Sequence, residues 1–222
     1  MSKGPMSVSW QTKPTDRFVL RWMKLHLSSR LTTRVMLIPW ARPWMITLGA
    51  SFLGIVAGGA FALGVGWLAG VLALASQVLD GVDGQLARLT GRQGPAGAFL
   101  DSVMDRYTDG ALVIGLTVYL VRLPLSLPLW VWLVMGFLAV VGTGLVSYST
   151  ARAEVLGLSM GKPTLASKGT RTAVTALSGL ATPLWAQAPA LALLYLVLHT
   201  NGVVSWRILR AYGQCREGRT DD

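Results

Sequence analysis

Apolar stretches long enough to cross a lipid bilayer recur six times along the chain, and that pattern leaves few folds open to it. A helix needs about 20 apolar residues to cover ~30 Å of hydrocarbon. Windows of that length fall at roughly 44 to 63, 66 to 88, 97 to 121, 127 to 150, 167 to 186 and 188 to 209. Breakers separate them at 64–66, 91–95, 124–128, 161–163 and Pro189. The spacing predicts an all-α polytopic membrane protein with six transmembrane helices and both termini on one side. With 52% hydrophobic and only 14% charged residues, the chain is too apolar for an ordinary soluble domain.

Lys and Arg near span ends stay cytoplasmic. Arg30, Arg34, Arg42, Arg88, Arg92, Arg106, Arg152, Lys162, Lys168, Arg171, Arg207, Arg210 and Arg216 fall at one face, and Arg122 falls opposite. This bias is independent of the apolar windows, so it favours an even number and cytoplasmic termini, in a cell (inner) membrane. The net charge of +10 sits between apolar runs rather than on a solvated face. Anionic lipid and phosphorylated substrates therefore fit as partners, and nucleic acid does not. The single cysteine, Cys215, offers neither an internal disulfide nor a zinc site.

The polar N-terminus lacks the apolar run of a secretory signal, so insertion is expected to rely on the internal spans. Residues 15–38 mix Phe18, Leu20, Trp22, Met23, Leu27, Leu31 and Val35 with Arg17, Arg21, Lys24, Arg30 and Arg34. They read as an N-terminal amphipathic interfacial helix, apolar side in lipid and cations toward anionic head groups, or alternatively as a basic tether. The expected organisation is a cytoplasmic N-terminal segment at 1–42, a six-helix domain at 43–210 and a cytoplasmic tail at 211–222. Tryptophans near span ends, Trp40, Trp44, Trp130, Trp132 and Trp206, read as an aromatic belt.

Half of the chain's ten acidic residues, Asp80, Asp83, Asp101, Asp105 and Asp109, crowd into one short stretch at the cytoplasmic ends of spans two and three. A carboxylate at a membrane-helix centre costs roughly 2.5–3.5 kcal/mol, less near the interface, so such a cluster needs compensation. Asp80 and Asp83 are spaced i,i+3 and Asp101 and Asp105 i,i+4, so each pair projects from one helix face. Joined by the turn at 91–95, the two faces can meet across an antiparallel pair. Oxygen donors without nearby His or Cys suit Mg²⁺ or Mn²⁺, as one ion or as two sharing a carboxylate. Gly84, Ala87 and Gly97 leave room for a bulky ligand against the backbone, and Arg88 suits a phosphate oxygen. Asp109 extends the Asp101 and Asp105 face by a turn, and pairing with Arg106 or a polar neighbour suits it better than metal ligation. His26 and His199 stand alone and read as packing or helix-end groups.

Asp80, Asp83, Gly84, Ala87, Arg88, Gly97, Asp101 and Asp105 fill every position of D-x2-D-G-x2-A-R-x8-G-x3-D-x3-D. The run resembles the signature of the CDP-alcohol phosphotransferase family. That resemblance implies a six-helix membrane fold whose cytosol-facing cavity binds a CDP-alcohol and releases CMP. By position, Asp80, Asp83 and Asp101 would be metal ligands, and Asp105 a ligand or the base for the acceptor alcohol. Gly84, Ala87, Arg88 and Gly97, with Asp80 and Asp83, would lie along the cytidine diphosphate. Many members carry Pro-Asn-x-x-Thr at the start of the first span. Here Pro43 and Thr47 match, and Trp44 replaces the Asn.

In members with a phosphorylated acceptor, such as inositol phosphate, basic residues near the positions of Arg152, Lys168 and Arg171 bind its phosphate. As topology signals the same cations would be expected there regardless. The expected reaction passes a substituted phosphate from CDP-diacylglycerol to an alcohol, in phospholipid biosynthesis, and leaves room for a homodimer. A water-soluble donor such as CDP-inositol is the alternative. An ion-coupled transporter is the rival from another class, but it would spread its polar groups across the membrane. An inactive relative would be expected to have lost a motif carboxylate or the Arg.

Overall fold

The computed structural model of the protein describes residues 11–12, 18–124, 127–160 and 167–217, and among these there are helices and turns but no strands. A helical stretch near the N-terminus comprises α1 (Phe18–Met23), a π-helical turn (Lys24–Ser28) and α2 (Ser29–Val35). The bundle follows as α3 (Pro43–Ala62), α4 (Gly66–Leu89), α5 (Pro95–Val121), α6 (Leu129–Val155), α7 (Lys168–Leu180) and α8 (Ala188–Glu217). Arg17, Lys162 and the turn expected at 161–163 lie outside the described residues, as do 218–222 of the tail.

Helices rise at each of the six expected windows, with one correction of length and one of class. Span five was expected to reach residue 186, but α7 has only 13 residues and turns follow it. Pro183 accounts for this, since it has no N–H and disfavours helical backbone at the residue before it. By length and apolarity, three described helices qualify to cross a membrane: α3, α6 and Ala188–Gln214 of α8. α4 and α5 are long enough, at 24 and 27 residues, but the aspartates and arginines they carry lower their hydropathy. At ~1.5 Å per residue, α7 alone falls short of the hydrocarbon thickness. α8 continues past residue 210 to Glu217.

Small residues set the packing. A Cβ on Gly58 would meet the Ala111 carbonyl oxygen of α5 at 2.3 Å, and one on Gly115 would meet that of Gly58 at 2.0 Å. α3 and α5 therefore touch backbone to backbone, the close approach that small residues permit in membrane bundles. Gly70 and Gly179 do the same between α4 and α7, which run antiparallel. Gly142 sits against Thr200 and Asn201 between the parallel pair α6 and α8. The apolar core, with Phe61, Leu112, Leu116, Leu120, Trp132, Leu193 and Leu196, joins these layers. Trp132 is thus a core residue rather than part of a belt, whereas Trp40, Trp44, Trp130 and Trp206 are exposed. At the opposite end of the bundle from the aspartates, Arg122 donates to the Ala62 carbonyl at 2.5 Å.

The N-terminal helical stretch turns a polar face toward the bundle. Lys24, Ser28 and Thr32, spaced by four, are buried. Ser28 donates to the Val78 carbonyl at 2.8 Å, Thr32 to the Gln85 amide oxygen at 2.7 Å, and Gln85 in turn to the Lys24 carbonyl at 3.0 Å. Trp22, Leu27, Met36 and Leu37 face outward together with Arg21, Arg30 and Arg34. The outer surface therefore mixes apolar and basic groups, and the inner one packs chiefly on α4, with α1 also touching α7.

Candidate active site

The site is built at the end of the bundle where α4 finishes and α5 begins. α4 stops in a turn where Thr90 N–H bonds to Leu86 and Arg92 N–H to Ala87, with Gly91 at φ +64°. This is the left-handed C-terminal motif that glycine favours. Gly94 is extended, and Pro95, which needs no N–H partner, opens α5. The reversal brings Asp80 of α4 beside Asp101 and Asp105 of α5, one carboxylate oxygen from each lying within 4.8 Å of the others. Two oxygens on opposite sides of Mg²⁺ stand ~4.2 Å apart, so the trio needs little rearrangement to fit a small hard cation, and its all-oxygen character suits one.

Lys168, the first residue of α7, reaches the same trio and forms ion pairs with both Asp80 and Asp105. α7 has no acidic residue in its first turn, so its own end offers this cation nothing but the positive pole of the helix dipole. The compensation comes from α4 and α5.

Asp83 stands outside the trio. It is buried, and its carboxylate accepts the Thr47 hydroxyl of α3 at 2.6 Å and the Gly84 N–H. Thr47, noted in the sequence only as a motif match, is thereby the α3 residue that holds this carboxylate. Gln85 is a second residue whose part was not foreseen: fully buried inside the signature, it ties α4 to the N-terminal helical stretch. The only hint of it was a polar side chain on the α4 face away from the acids.

An open cleft of about 190 Å³ adjoins the trio through Asp101. Asp83, Gly84, Ala87, Arg88 and Gly97 line it, as do Pro43, Trp44, Thr47, Arg92, Gln93, Gly94 and Ala98. Arg88 folds back over Gly84, its Nη1 3.4 Å from where a Cβ would stand, and no atom lies within 4 Å of that point on Gly97. Six of the eight signature residues therefore line the cleft, Asp101 among them belonging also to the trio, and Asp80 and Asp105 belong to the trio alone.

The cations of the expected acceptor end separate. Lys168 is in the acid trio, Arg171 is buried and pairs with Asp109 at 2.6 Å, and Arg152 is exposed on the last turn of α6. Asp109 also has Arg106 at 3.6 Å, which agrees with a structural pairing. Arg207 of α8 donates to Val146, Ser149 and Thr150 of α6, fastening those helices at the same end. His26 bonds to the Trp22 carbonyl and stacks on that indole, and His199 stacks on Tyr195.

A family model described as CDP-alcohol phosphatidyltransferase matches residues 40–209. Over 139 residues the chain is 36% identical to the bifunctional IPC transferase and DIPP synthase of Thermococcus kodakarensis, covering 62% of this chain and 30% of that one. Over 114 residues it is 34% identical to the archaetidylinositol phosphate synthase of Pyrococcus horikoshii, covering 51% and 55%. The chain thus spans about half, or less, of these curated relatives. The fold is similar to that of Mycobacterium tuberculosis phosphatidylinositol phosphate synthase solved with CDP-DAG bound, at TM-score 0.72 and 19% identity over 84% of this chain and 94% of that one. The same enzyme with manganese and citrate gives 0.73 over 84% and 89%. The complete signature, folded into one acid trio and one adjoining cleft and lying inside the matched span, places the chain in the CDP-alcohol phosphatidyltransferase family.

Proposed function

We propose that the protein transfers a phosphate-linked group from a CDP-alcohol to a hydroxyl acceptor and releases CMP. The observation that carries this reading is Asp101, which belongs at once to the acid trio and to the cleft lined by Gly84, Ala87, Arg88 and Gly97. A diphosphate lying along small residues, with its phosphates toward Asp101, would meet carboxylates suited to a cation at one end and the Arg88 guanidinium beside it. Asp80, Asp101 and Asp105 would hold Mg²⁺ or Mn²⁺, one ion or two, with Asp83 oriented by Thr47 at the cleft edge. A divalent ion bound there supplies charge neutralisation of the diphosphate and of the departing CMP.

The chain's own groups do the rest. Gly84 and Gly97 admit the nucleotide to the backbone, and Arg88 fixes a phosphate oxygen. Asp105 orients the acceptor hydroxyl and takes its proton as the new P–O bond forms and the bond to CMP breaks. Such transfer relies on positioning and electrostatics, which a preassembled carboxylate set provides. Arg152, with Lys168 of α7, serves an acceptor phosphate, and Arg171, expected to join them, holds Asp109 instead.

Several relatives are named for inositol phosphate lipids, and one neighbour in fold was solved with CDP-DAG. These names support CDP-diacylglycerol or a related CDP-lipid as donor and inositol phosphate as acceptor. In the membrane, α3 to α8 form six spans, α7 completed by 181–187, with the aspartate end and both termini cytoplasmic. The bundle domain is 43–210, flanked by segments 1–42 and 211–222, which the family match over 40–209 supports.

The test is CMP release by the purified full chain in detergent with Mg²⁺ or Mn²⁺. CDP-diacylglycerol and CDP-inositol are each offered with a panel of alcohols and polyol phosphates. CMP should appear only with donor, acceptor and metal together, and a chelator should abolish it. Folded protein that releases no CMP from any pair contradicts the proposal.

A further inference from the structure

Trp44 is the one residue of the upstream Pro-x-x-x-Thr run where this chain departs from the pattern noted above, and its side chain lines the cleft. It sits in the first turn of α3, after Pro43 and one turn before Thr47, the residue that holds Asp83. Half of its surface is exposed. Trp40, Trp130 and Trp206 are exposed too, but none is among the residues lining the cleft, so membrane-belt placement explains them and leaves the position of Trp44 unexplained.

The lining divides along the helices. Asp83, held by Thr47, and Asp101 stand on the bundle side. About one turn nearer the helix ends lie Trp44 before Thr47 and Ala98 before Asp101, with Arg92 and Gln93 past the end of α4. Arg92 reaches from the α4–α5 turn to the Ala41 carbonyl at 3.4 Å, so the turn is tied to the segment that leads into Trp44. A nucleotide has the same polarity: a charged phosphate end and, a sugar's length away, a flat base whose faces bind aromatic rings. With the phosphates set by the carboxylates, the base falls at the Trp44 end.

From this we infer that Trp44 provides the aromatic face against which the cytosine of the donor stacks. The inference rests on the cleft being the nucleotide site proposed above. Stacking is tolerant of the ring that provides it and indifferent to the phosphate end. Those two properties separate it from a merely structural role.

The experiment compares CMP and ribose 5-phosphate binding, by calorimetry with Mg²⁺, to the full chain in detergent as wild type, Trp44→Phe and Trp44→Leu. Phe should keep CMP affinity within about three-fold, and Leu, equally apolar but without a π face, should weaken it about ten-fold or more. Ribose 5-phosphate should bind all three alike. Should the variants fail to fold, indole oxidation of the wild type read by mass spectrometry stands in. CMP should protect Trp44, ribose 5-phosphate should not, and Trp40 should react throughout. Leu binding CMP as wild type does, or losing both ligands equally, overturns the role of Trp44 and leaves the proposed reaction standing, as does Trp44 left unprotected by CMP. Wild-type protein that binds no CMP overturns both.

Discussion

Asp105 and Asp109 lie one turn apart on the same face of α5, yet they belong to different parts of the molecule. Asp105 looks toward α4, keeps 17% of its side chain exposed and meets Lys168, an ammonium shared with Asp80, while Arg106 stands between the two aspartates at 3.7 Å from Asp105. Asp109, 7% exposed, is held by the Arg171 guanidinium at 2.6 Å with Arg106 at 3.6 Å. Beside Asp109 and Arg171 lies a cavity of about 10 Å³, room for about one water. Beside Asp101 there is the open cleft. Residue type and helical position are the same and Arg106 serves both, so the second partner decides. The buried Arg171 guanidinium locks Asp109 into the fold, whereas the Lys168 ammonium, a point charge on a flexible stem, leaves Asp105 available.

Breaking each cluster should therefore have opposite consequences. Asp105→Asn keeps the volume and should leave the thermal midpoint nearly unchanged while turnover falls about 10³-fold, the scale of a lost general base. Near-normal turnover would remove Asp105 from the chemistry. Asp109→Asn removes the carboxylate that pairs with Arg171 in the interior. It should destabilise the protein by about 3–5 kcal/mol, visible as a lowered midpoint in detergent, with the surviving folded fraction still able to bind metal. A stability loss below about 1 kcal/mol would erase the distinction drawn here.

Lys168→Gln sharpens the comparison. If the ammonium merely stands among the trio, removing it should tighten Mn²⁺ binding, about ten-fold, and lower the midpoint of the metal-free protein as the carboxylates repel each other. Weaker Mn²⁺ binding would make Lys168 part of the site's support instead. The smallest effect is expected at Arg152→Ala. On the exposed end of α6 it should raise KM for a phosphorylated acceptor several-fold with little change in kcat. An unchanged KM would point to an uncharged alcohol.

The Asp101 and Asp105 pair was legible in the sequence because helical spacing alone aligns it, and Asp109 because Arg106 stands three residues before it. Most of the helix ends were legible too, through Pro43, Gly91 and Pro95. The partition of the signature was not. That Asp83 turns to Thr47 while Asp80 turns to Lys168 depends on which face of α4 meets α3 and which meets α7. Gly54, Gly70 and Gly179 settle this by close approach, and spacing within one helix carries no record of it. Trp132 was misread because its position near a helix start matches a belt as well as it matches a core. The clamp by Ser28, Thr32 and Gln85 stayed hidden because hydroxyls on an amphipathic stretch look solvated until a partner is known.

The claim underlying all of this is that Asp80, Asp101 and Asp105 form a metal centre from which Asp109 is excluded. Mn²⁺ titration followed by electron paramagnetic resonance, on wild type, Asp101→Asn and Asp109→Asn at matched folded concentration, tests it most directly. Wild type and Asp109→Asn should bind with similar affinity, and Asp101→Asn should lose binding by about a hundred-fold or more. Equal losses in both variants, or retained binding in Asp101→Asn, would contradict the account.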